Sequence, residues 1–362
     1  MNIIINRQKL QSALGVVEKI ISKNVSLPIL NTILLKTENG RLKLSATNLE
    51  MGIKYWVGAK INKEGEVAVP ARVFSDFISN VNDEKLNLSV EKNVISINSE
   101  HYKTQILGLD TKEYPILPKA KNAVEFKISS STLKNSLASV FDSSSLSETR
   151  PEIAGVLLNV GKNKAEFAAT DSFRLAEKII DVRDGIDRSM IIPRTTALEL
   201  MRISEGAEQE LTLAVADNQL FVSGEDFEFV SRLIDGHYPE YKKVIPERFV
   251  ALAKVDKAEF ERNIRMASVF SSNVFDIKLK AAGNLLQIKA QNNDRGEILT
   301  NIPCLVKDGP FEVSVNYHYL LDGIKSIPTA NLIIQFTGDG SPLVLKGEEK
   351  KDQTYIIMPL RG

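Results

Sequence analysis

Cysteine is almost missing from this chain: Cys304 is the only one in 362 residues. A lone thiol closes no intrachain disulfide and builds no cysteine zinc site, which points to a reducing compartment and to a fold held by packing. Net charge is missing too, since 46 basic residues meet 46 acidic ones. Bulk electrostatics therefore predict neither tight phosphate binding nor attraction to a membrane surface, and any role with a polyanion must rest on how the charge is distributed. No apolar run approaches the roughly 20 residues that cross a bilayer. The opening MNIIINRQKL loses its apolar stretch at Asn6 and Arg7, too early for a signal peptide. The expected setting is cytoplasmic, with no membrane partner. There is no phosphate-cradling P-loop and no dinucleotide glycine fingerprint. The three histidines, His101, His237 and His318, are not at metal-ligand spacing. Asp171 and Arg174 could be drawn as an acid and an anion clamp, but turn chemistry and an ion pair explain them more simply. No catalytic centre, metal or cofactor is expected.

What the chain does have is repetition. Four markers recur at spacings of 121 to 125 residues. A strand and sharp turn, LSATNLEMGI around Thr47, is echoed by FAATDSFRLA around Thr170 and IKAQNNDRGE around Gln291. A β-rich stretch runs into an amphipathic helix at Pro70, at Pro193 and at Asn316. Proline suits that junction because its fixed φ favours a helix start, and asparagine serves as a helix cap instead. Alternating hairpins start at Leu86, Leu211 and Leu332, with EKN, ADN and Asp339-Gly340 as reversals. A helix opens each copy. In the first, Leu10, Leu14, Val17 and Ile21 share a face, and in the second Leu133, Leu137 and Val140 do.

Each copy thus reads as a short strand, a helix, several strands, a second helix and a three-strand meander ending near Leu109, Leu233 and Ile357. The fold class is α+β, with three tandem domains at 1–120, 121–245 and 246–362. Tyr114-Pro115-Ile116-Leu117-Pro118 closes the first and Tyr238-Pro239-Glu240-Tyr241 lies near the end of the second, prolines keeping both links extended. Similar units joined by similar links make a curved array that closes into a ring or grows into a filament. If strands pair edge to edge across units, the free edges vanish and the helices are left on the inner face. By approximate helix boundaries (7–23, 71–81, 130–142, 194–205, 256–270 and 316–327) those helices carry twelve basic and nine acidic residues, a modest positive surplus.

Several motifs then resemble one family over nearly the whole length: LPIL at 27–30, NLEMGI at 48–53, VPAR at 69–72, ATDSFRLA at 169–176, IIPRTTALELMR at 191–202, LIDGHYPEYKKVIP at 233–246 and YIIMPLRG at 355–362. Together they resemble the bacterial DNA sliding clamp, the beta subunit of DNA polymerase III. The resemblance implies three clamp domains, each with two helices packed on antiparallel sheets. It further implies a head-to-tail homodimeric ring with helices inside and sheets outside, sliding on double-stranded DNA without reading its sequence. A ring is held by topology, so weak salt-sensitive phosphate contacts suffice and near neutrality becomes an advantage. Expected partners are the DNA polymerase III catalytic subunit, the clamp loader and other replication and repair polymerases, in a cytoplasmic, nucleoid-associated setting. A scaffold of tandem repeats that binds partner peptides without DNA is the alternative.

The resemblance also implies sites. In the family, partners insert a short peptide into an apolar pocket. The matching residues are Ile153 and Gly155, then Thr170, Ser172, Arg174 and Leu175, then Pro239 and Val244, then Ile356, Met358, Pro359 and Leu360, with Asn316, Tyr319 and Pro342 on the rim. Leu, Ile and Met side chains suit large apolar anchors, and Met358 adds adaptability. Ser172-Phe173 and Lys243 depart from the Gly-His and arginine of some members, and both changes touch the pocket edge. DNA contacts are expected from Arg7, Lys9, Lys23, Arg72 and Lys134, and from Arg194, Arg202, Arg262, Arg265 and Lys325. A loop arginine of the family is Asn24 here, with Lys23 beside it as substitute. For the dimer, Thr104 and Ile106 would face Val269 and Phe270, with Phe270 as apolar anchor.

Overall fold

The computed structural model describes residues 1–21, 27–147 and 149–360. The first repeat contains β1 (Asn2–Asn6), α1 (Arg7–Val17), β2 (Thr32–Glu38), β3 (Arg41–Thr47), β4 (Met51–Lys63), β5 (Glu66–Pro70), α2 (Ala71–Asn80), β6 (Lys85–Glu91), β7 (Val94–Asn98) and β8 (Lys103–Leu107). The second contains β9 (Val124–Ser129), α3 (Ser130–Val140), β10 (Gly155–Val160), β11 (Lys164–Thr170), β12 (Arg174–Asp181), β13 (Arg188–Pro193), α4 (Arg194–Ile203), β14 (Glu210–Ala216), β15 (Gln219–Ser223) and β16 (Phe227–Arg232). The third follows the same order: β17 (Ala251–Asp256), α5 (Lys257–Ser268), β18 (Asp276–Ala282), β19 (Leu285–Asn292), β20 (Gly296–Pro303), β21 (Leu305–Lys307), β22 (Phe311–Asn316), α6 (Tyr317–Ser326), β23 (Asn331–Phe336), β24 (Leu343–Gly347) and β25 (Gln353–Ile357). Among the described residues the short β21 is the one addition, and it pairs with β17.

The turns and caps follow from residue chemistry. Lys92 and Asp217, at matching places in the EKN and ADN reversals, both take left-handed φ values, 55° and 50°. Asn316 caps α6 as expected, its side chain accepting from the His318 N–H at 2.9 Å. One expectation is corrected. The first helix stops at Val17 rather than running to 23, and a 3-10 turn over Glu18–Ile20 follows. Three residues per turn bring Ile20, not Ile21, inward after Val17. Ile20 is buried, whereas Ile21 is partly exposed.

Sheets run from one repeat into the next. The outer part of β4 pairs with β16, Tyr55 opposite Phe227 and Met51 opposite Ser231. In the same way β12 pairs with β25, Lys178 opposite Gln353 and Arg174 opposite Ile357. Compactness follows these sheets rather than the repeats, and the chain divides into 1–133 with 198–233, and 134–197 with 234–362. The first unit holds a twelve-stranded sheet with β8 at one end; the second holds a nine-stranded sheet and a four-stranded sheet that ends on β20. In the first unit α1 packs on α2 and in the second α5 packs on α6. Fully buried Leu10, Phe74 and Phe260 anchor these helices, each burial contributing about 1.5–3 kcal/mol.

The turn before β8 is pinned by an ion pair that the sequence did not announce. His101 donates its backbone N–H to Asp83 Oδ2 at 2.9 Å, and its Nδ1 stands 2.7 Å from Asp83 Oδ1. Glu100 lies close by, and the Asp83, Glu100 and His101 side chains offer atoms within 4.8 Å of one another. Hydrogen bonds from Ser99 and His101 hold the Asp83 carboxyl down at about 2, and the bond to Asp83 raises His101. The His101 contribution is therefore complete below the ordinary imidazole value and lost as pH rises through its raised one. That of Asp83 is present above the ordinary carboxylate value and lost as pH falls through about 2. Following the His101 ring proton by NMR should give a midpoint above about 6.5. A midpoint at or below that value would mean that the pair does not form in solution.

Candidate functional site

The site is built around the turn between β11 and β12. Thr170 donates its hydroxyl to the Arg174 carbonyl at 2.7 Å and accepts from the Ser172 N–H at 3.1 Å. Asp171 Oδ1 accepts from the N–H groups of Phe173 and Arg174, at 2.9 and 3.0 Å. These bonds hold Ser172 at φ 79°, a left-handed conformation that glycine adopts without strain. The Arg174 guanidinium is nearly buried. It binds Asp171 Oδ2 at 3.0 Å and Asp322, and it lies over the Tyr319 ring at 4.6 Å. Burial works against its charge, but neighbouring groups including Asp322 and Asp171 raise its pKa overall.

Beside this turn, β25 sets Ile356 against Leu175, and just beyond it the Met358 N–H donates to the Phe173 carbonyl at 2.8 Å. The linker after β16 supplies the opposite wall. Tyr241 is buried with Leu157, Ala168, Leu175, Ile191, Val344 and Ile356. Its hydroxyl donates to Glu177 Oε1 at 2.9 Å, and Lys242 ties the same stretch to Glu166 at 2.6 Å. Burial first, then Glu177, pushes the Tyr241 phenol well above its ordinary value, so it stays a donor.

Between these walls lies an open cavity of about 260 Å³, lined by Ile153, Thr170, Ser172, Arg174, Leu175, Pro239, Val244, Ile356 and Met358, together with Arg150, Glu240 and Tyr241. The first nine are residues expected from sequence. The last three were missed, although Arg150 precedes Pro151 as Leu27 precedes Pro28, and Tyr241 belongs to the linker that had been singled out. Arg150 Nη1 bonds Ser172 Oγ at 3.2 Å across the mouth.

Six expected residues do not line the cavity. Gly155 lies in the sheet, where a Cβ would meet the Ile192 carbonyl at 2.5 Å. Asn316 is occupied as the cap of α6. Tyr319 stands next to the rim, stacked on exposed Phe173 with centroids 6.5 Å apart. The Pro342 carbonyl accepts from Thr337 at 2.5 Å, and the Leu360 N–H donates to Ser314 at 2.8 Å. Pro359 lies between Met358 and Leu360, partly exposed.

The basic residues are less uniform than expected. Lys9 and Arg262 are exposed. Arg72, Arg202, Arg265 and Lys325 reach Asp76, Glu199, Glu261 and Asp142 at 3.7, 2.6, 2.6 and 3.8 Å. Arg7 bonds Gln11, and Lys134 lies half-buried on α3. Arg194 needs correction as an open phosphate contact: its guanidinium donates to the Phe141 carbonyl at 2.6 Å and lies 3.9 Å over the Phe141 ring. Burial lowers its pKa accordingly. Lys23 and Asn24 lie outside the described residues. At the expected chain-to-chain joint, Thr104 is partly exposed on β8, Val269 is exposed and Phe270 half-buried. Ile106 points into its own sheet, only 7% exposed, so it has little surface left to offer a partner. Strand alternation turns Leu107 outward instead.

Comparison with known sequence families assigns nearly every residue. Residues 1–118 match the N-terminal domain of the DNA polymerase III beta subunit, 127–240 its central domain and 242–361 its C-terminal domain. The chain belongs to the DNA polymerase III beta subunit family. As a member of these sliding clamps it is a DNA polymerase processivity factor. The beta sliding clamps of Staphylococcus aureus and Staphylococcus epidermidis are each 28% identical over all of this chain and 99% of theirs. Among solved structures, a Pseudomonas aeruginosa sliding clamp bound to griselimycin superposes with a TM-score of 0.96 at 24% identity, covering both chains fully. The Thermotoga maritima beta subunit gives 0.94 at 23%, over all of this chain and 99% of that one. These likenesses show that the clamp fold is shared, three tandem copies included.

Proposed function

We propose that this clamp works as a non-catalytic ring of two copies closed head to tail around duplex DNA, with three domains per chain at 1–120, 121–245 and 246–362. The observation that carries this reading is the repeated edge pairing. β4 of the first repeat takes β16 of the second, and β12 of the second takes β25 of the third. Among the described residues, β20 and β8 are the corresponding strands left at sheet ends. Two free edges of matching kind favour closure, because an unpaired edge otherwise invites aggregation.

The cavity beside Thr170 and Leu175 is the docking pocket for peptide tails of the polymerase III catalytic subunit, the clamp loader and other replication and repair polymerases. Its apolar floor takes one large side chain, while Arg150, Ser172 and Glu240 sit at a polar mouth that sets register. Lys9 and Arg262 are the foremost candidates for DNA contacts, and the ion-paired arginines add loosely held charge. A cytoplasmic, nucleoid-associated location follows from this role. The test is topological. Loaded by a clamp loader onto nicked circular DNA, the protein should stay bound through gel filtration and fall off once the circle is cut. Retention on the linear DNA would exclude a sliding ring.

A further inference from the structure

The two joints between consecutive repeats are built alike but filled differently. In the first, Gly52 stands opposite Thr47 on one side and Val230 on the other. In the second, Leu175 stands opposite Thr170 and Ile356. The linkers correspond as well, Tyr114-Pro115-Ile116-Leu117 with Tyr238-Pro239-Glu240-Tyr241, so Leu117 is the counterpart of Tyr241.

Tyr241 lies on Val344 and Ile356, and the pocket stays open beside it. Leu117 takes another course. Its Cδ2 would stand 2.3 Å from a Cβ on Gly52, so it rests on bare backbone where the second joint has a leucine side chain. The seat that corresponds to that of Tyr241 is then vacant. It is a cavity of about 320 Å³ whose lining joins the apolar Ala214, Phe221, Val222 and Val230 to the charged Lys54, Lys119, Glu125 and Glu228, with Leu117 in its wall. Phe221 pairs with Val230 as Val344 pairs with Ile356, so the two floors match. The rims differ in kind. Leu27, Leu49 and Ile116, which are 51%, 50% and 95% exposed, occupy the places of Arg150, Ser172 and Glu240.

We propose that the first joint is a second peptide site, held shut in the free chain by Leu117 and opened when Leu117 moves from Gly52 into the adjoining cavity. The inference rests on reading the second joint as the partner pocket. Its ligand is a short extended segment with a large apolar anchor and uncharged flanks, because the charged mouth of the second joint is replaced here by Leu and Ile. The cost of displacing Leu117 makes this site the weaker one, since apparent affinity falls with the fraction of chains already open.

The full-length protein is titrated with a fluorescein-labelled hexapeptide whose only large side chains are Leu and Phe, on a Ser/Gly background. Wild type should show one site per chain and a weaker second. Leu117→Ala should strengthen the second event by about tenfold or more and leave the first unchanged. Leu49→Glu should remove only the second. Hydrogen exchange on the wild type gives an independent reading, with Gly52 gaining protection at high peptide concentration. A folded Leu117→Ala chain that binds one peptide throughout, with no new protection at Gly52, overturns the proposal. If wild type binds nothing, the pocket reading fails and this inference, which rests on it, falls with it.

Discussion

Replacing Val269 and Leu299 together by aspartate should yield a chain that sediments as a 40.2 kDa monomer where wild type sediments at twice that mass. Val269 follows α5 and Leu299 lies on the terminal strand β20; each is 57% exposed in the single chain. Aspartate at either place costs the isolated fold little. In a closed joint the same carboxylates lose water without gaining a cation, a penalty of about 2–4 kcal/mol each. Because a head-to-tail pair repeats the joint twice, the dissociation constant should rise by a factor on the order of a thousand or more. Analytical ultracentrifugation at micromolar concentration reads the outcome. Leu146→Asp, at another exposed apolar residue, serves as control and should remain dimeric. A double variant that sediments with wild type would exclude β20 as the joint and leave the repeated pairing rule without its last member.

Arg174→Ala should strike the pocket and the unit around it together. The side chain is 12% exposed and ties Asp171 to Asp322 beneath the Tyr319 ring. Its removal strands one carboxylate that is 15% exposed and another that is 35% exposed. Breaking a largely buried ion pair from one side costs about 3–5 kcal/mol. The urea transition of the unit formed by 134–197 and 234–362 should therefore move to lower denaturant while that of the other unit stays. Asp171 also holds the N–H groups of Phe173 and Arg174, so the turn loses its geometry at the pocket wall. Peptide affinity should fall by roughly a hundredfold, about 2.7 kcal/mol. Arg174→Lys keeps the charge but not the planar fork and should lie between the two. An alanine variant with unchanged peptide affinity would place the binding pocket elsewhere.

Much of this architecture was legible in order of residues alone. Strand and helix periods differ, so the succession of elements in three copies could be read from Thr47, Thr170 and Gln291 onward. Local chemistry was also readable: Asn316 caps α6, and the reversals at Lys92 and Asp217 take left-handed backbone. Nine lining residues of the pocket came through motif resemblance. What escaped depends on neighbours distant in sequence. Arg194 looks like an open cation until Phe141 is seen beneath it. Ile106 looks like a joint residue until strand alternation turns it inward. The Asp83 and His101 pair joins residues 18 apart across the two ends of the β6–β7 hairpin.

The scarce cysteine, the balanced charge and the threefold period were settled by sequence, because each is a property of composition or of local spacing. Which edges pair, which cations stay open and where each joint's linker side chain comes to rest were decided only in three dimensions. Gly52 and Leu175 occupy the same place in the repeat, and the difference between them appears only once Leu117 and Tyr241 come down beside them from the linkers. A linker side chain has no period to betray its direction. Its seat is chosen by the packing of strands that lie tens to more than a hundred residues away.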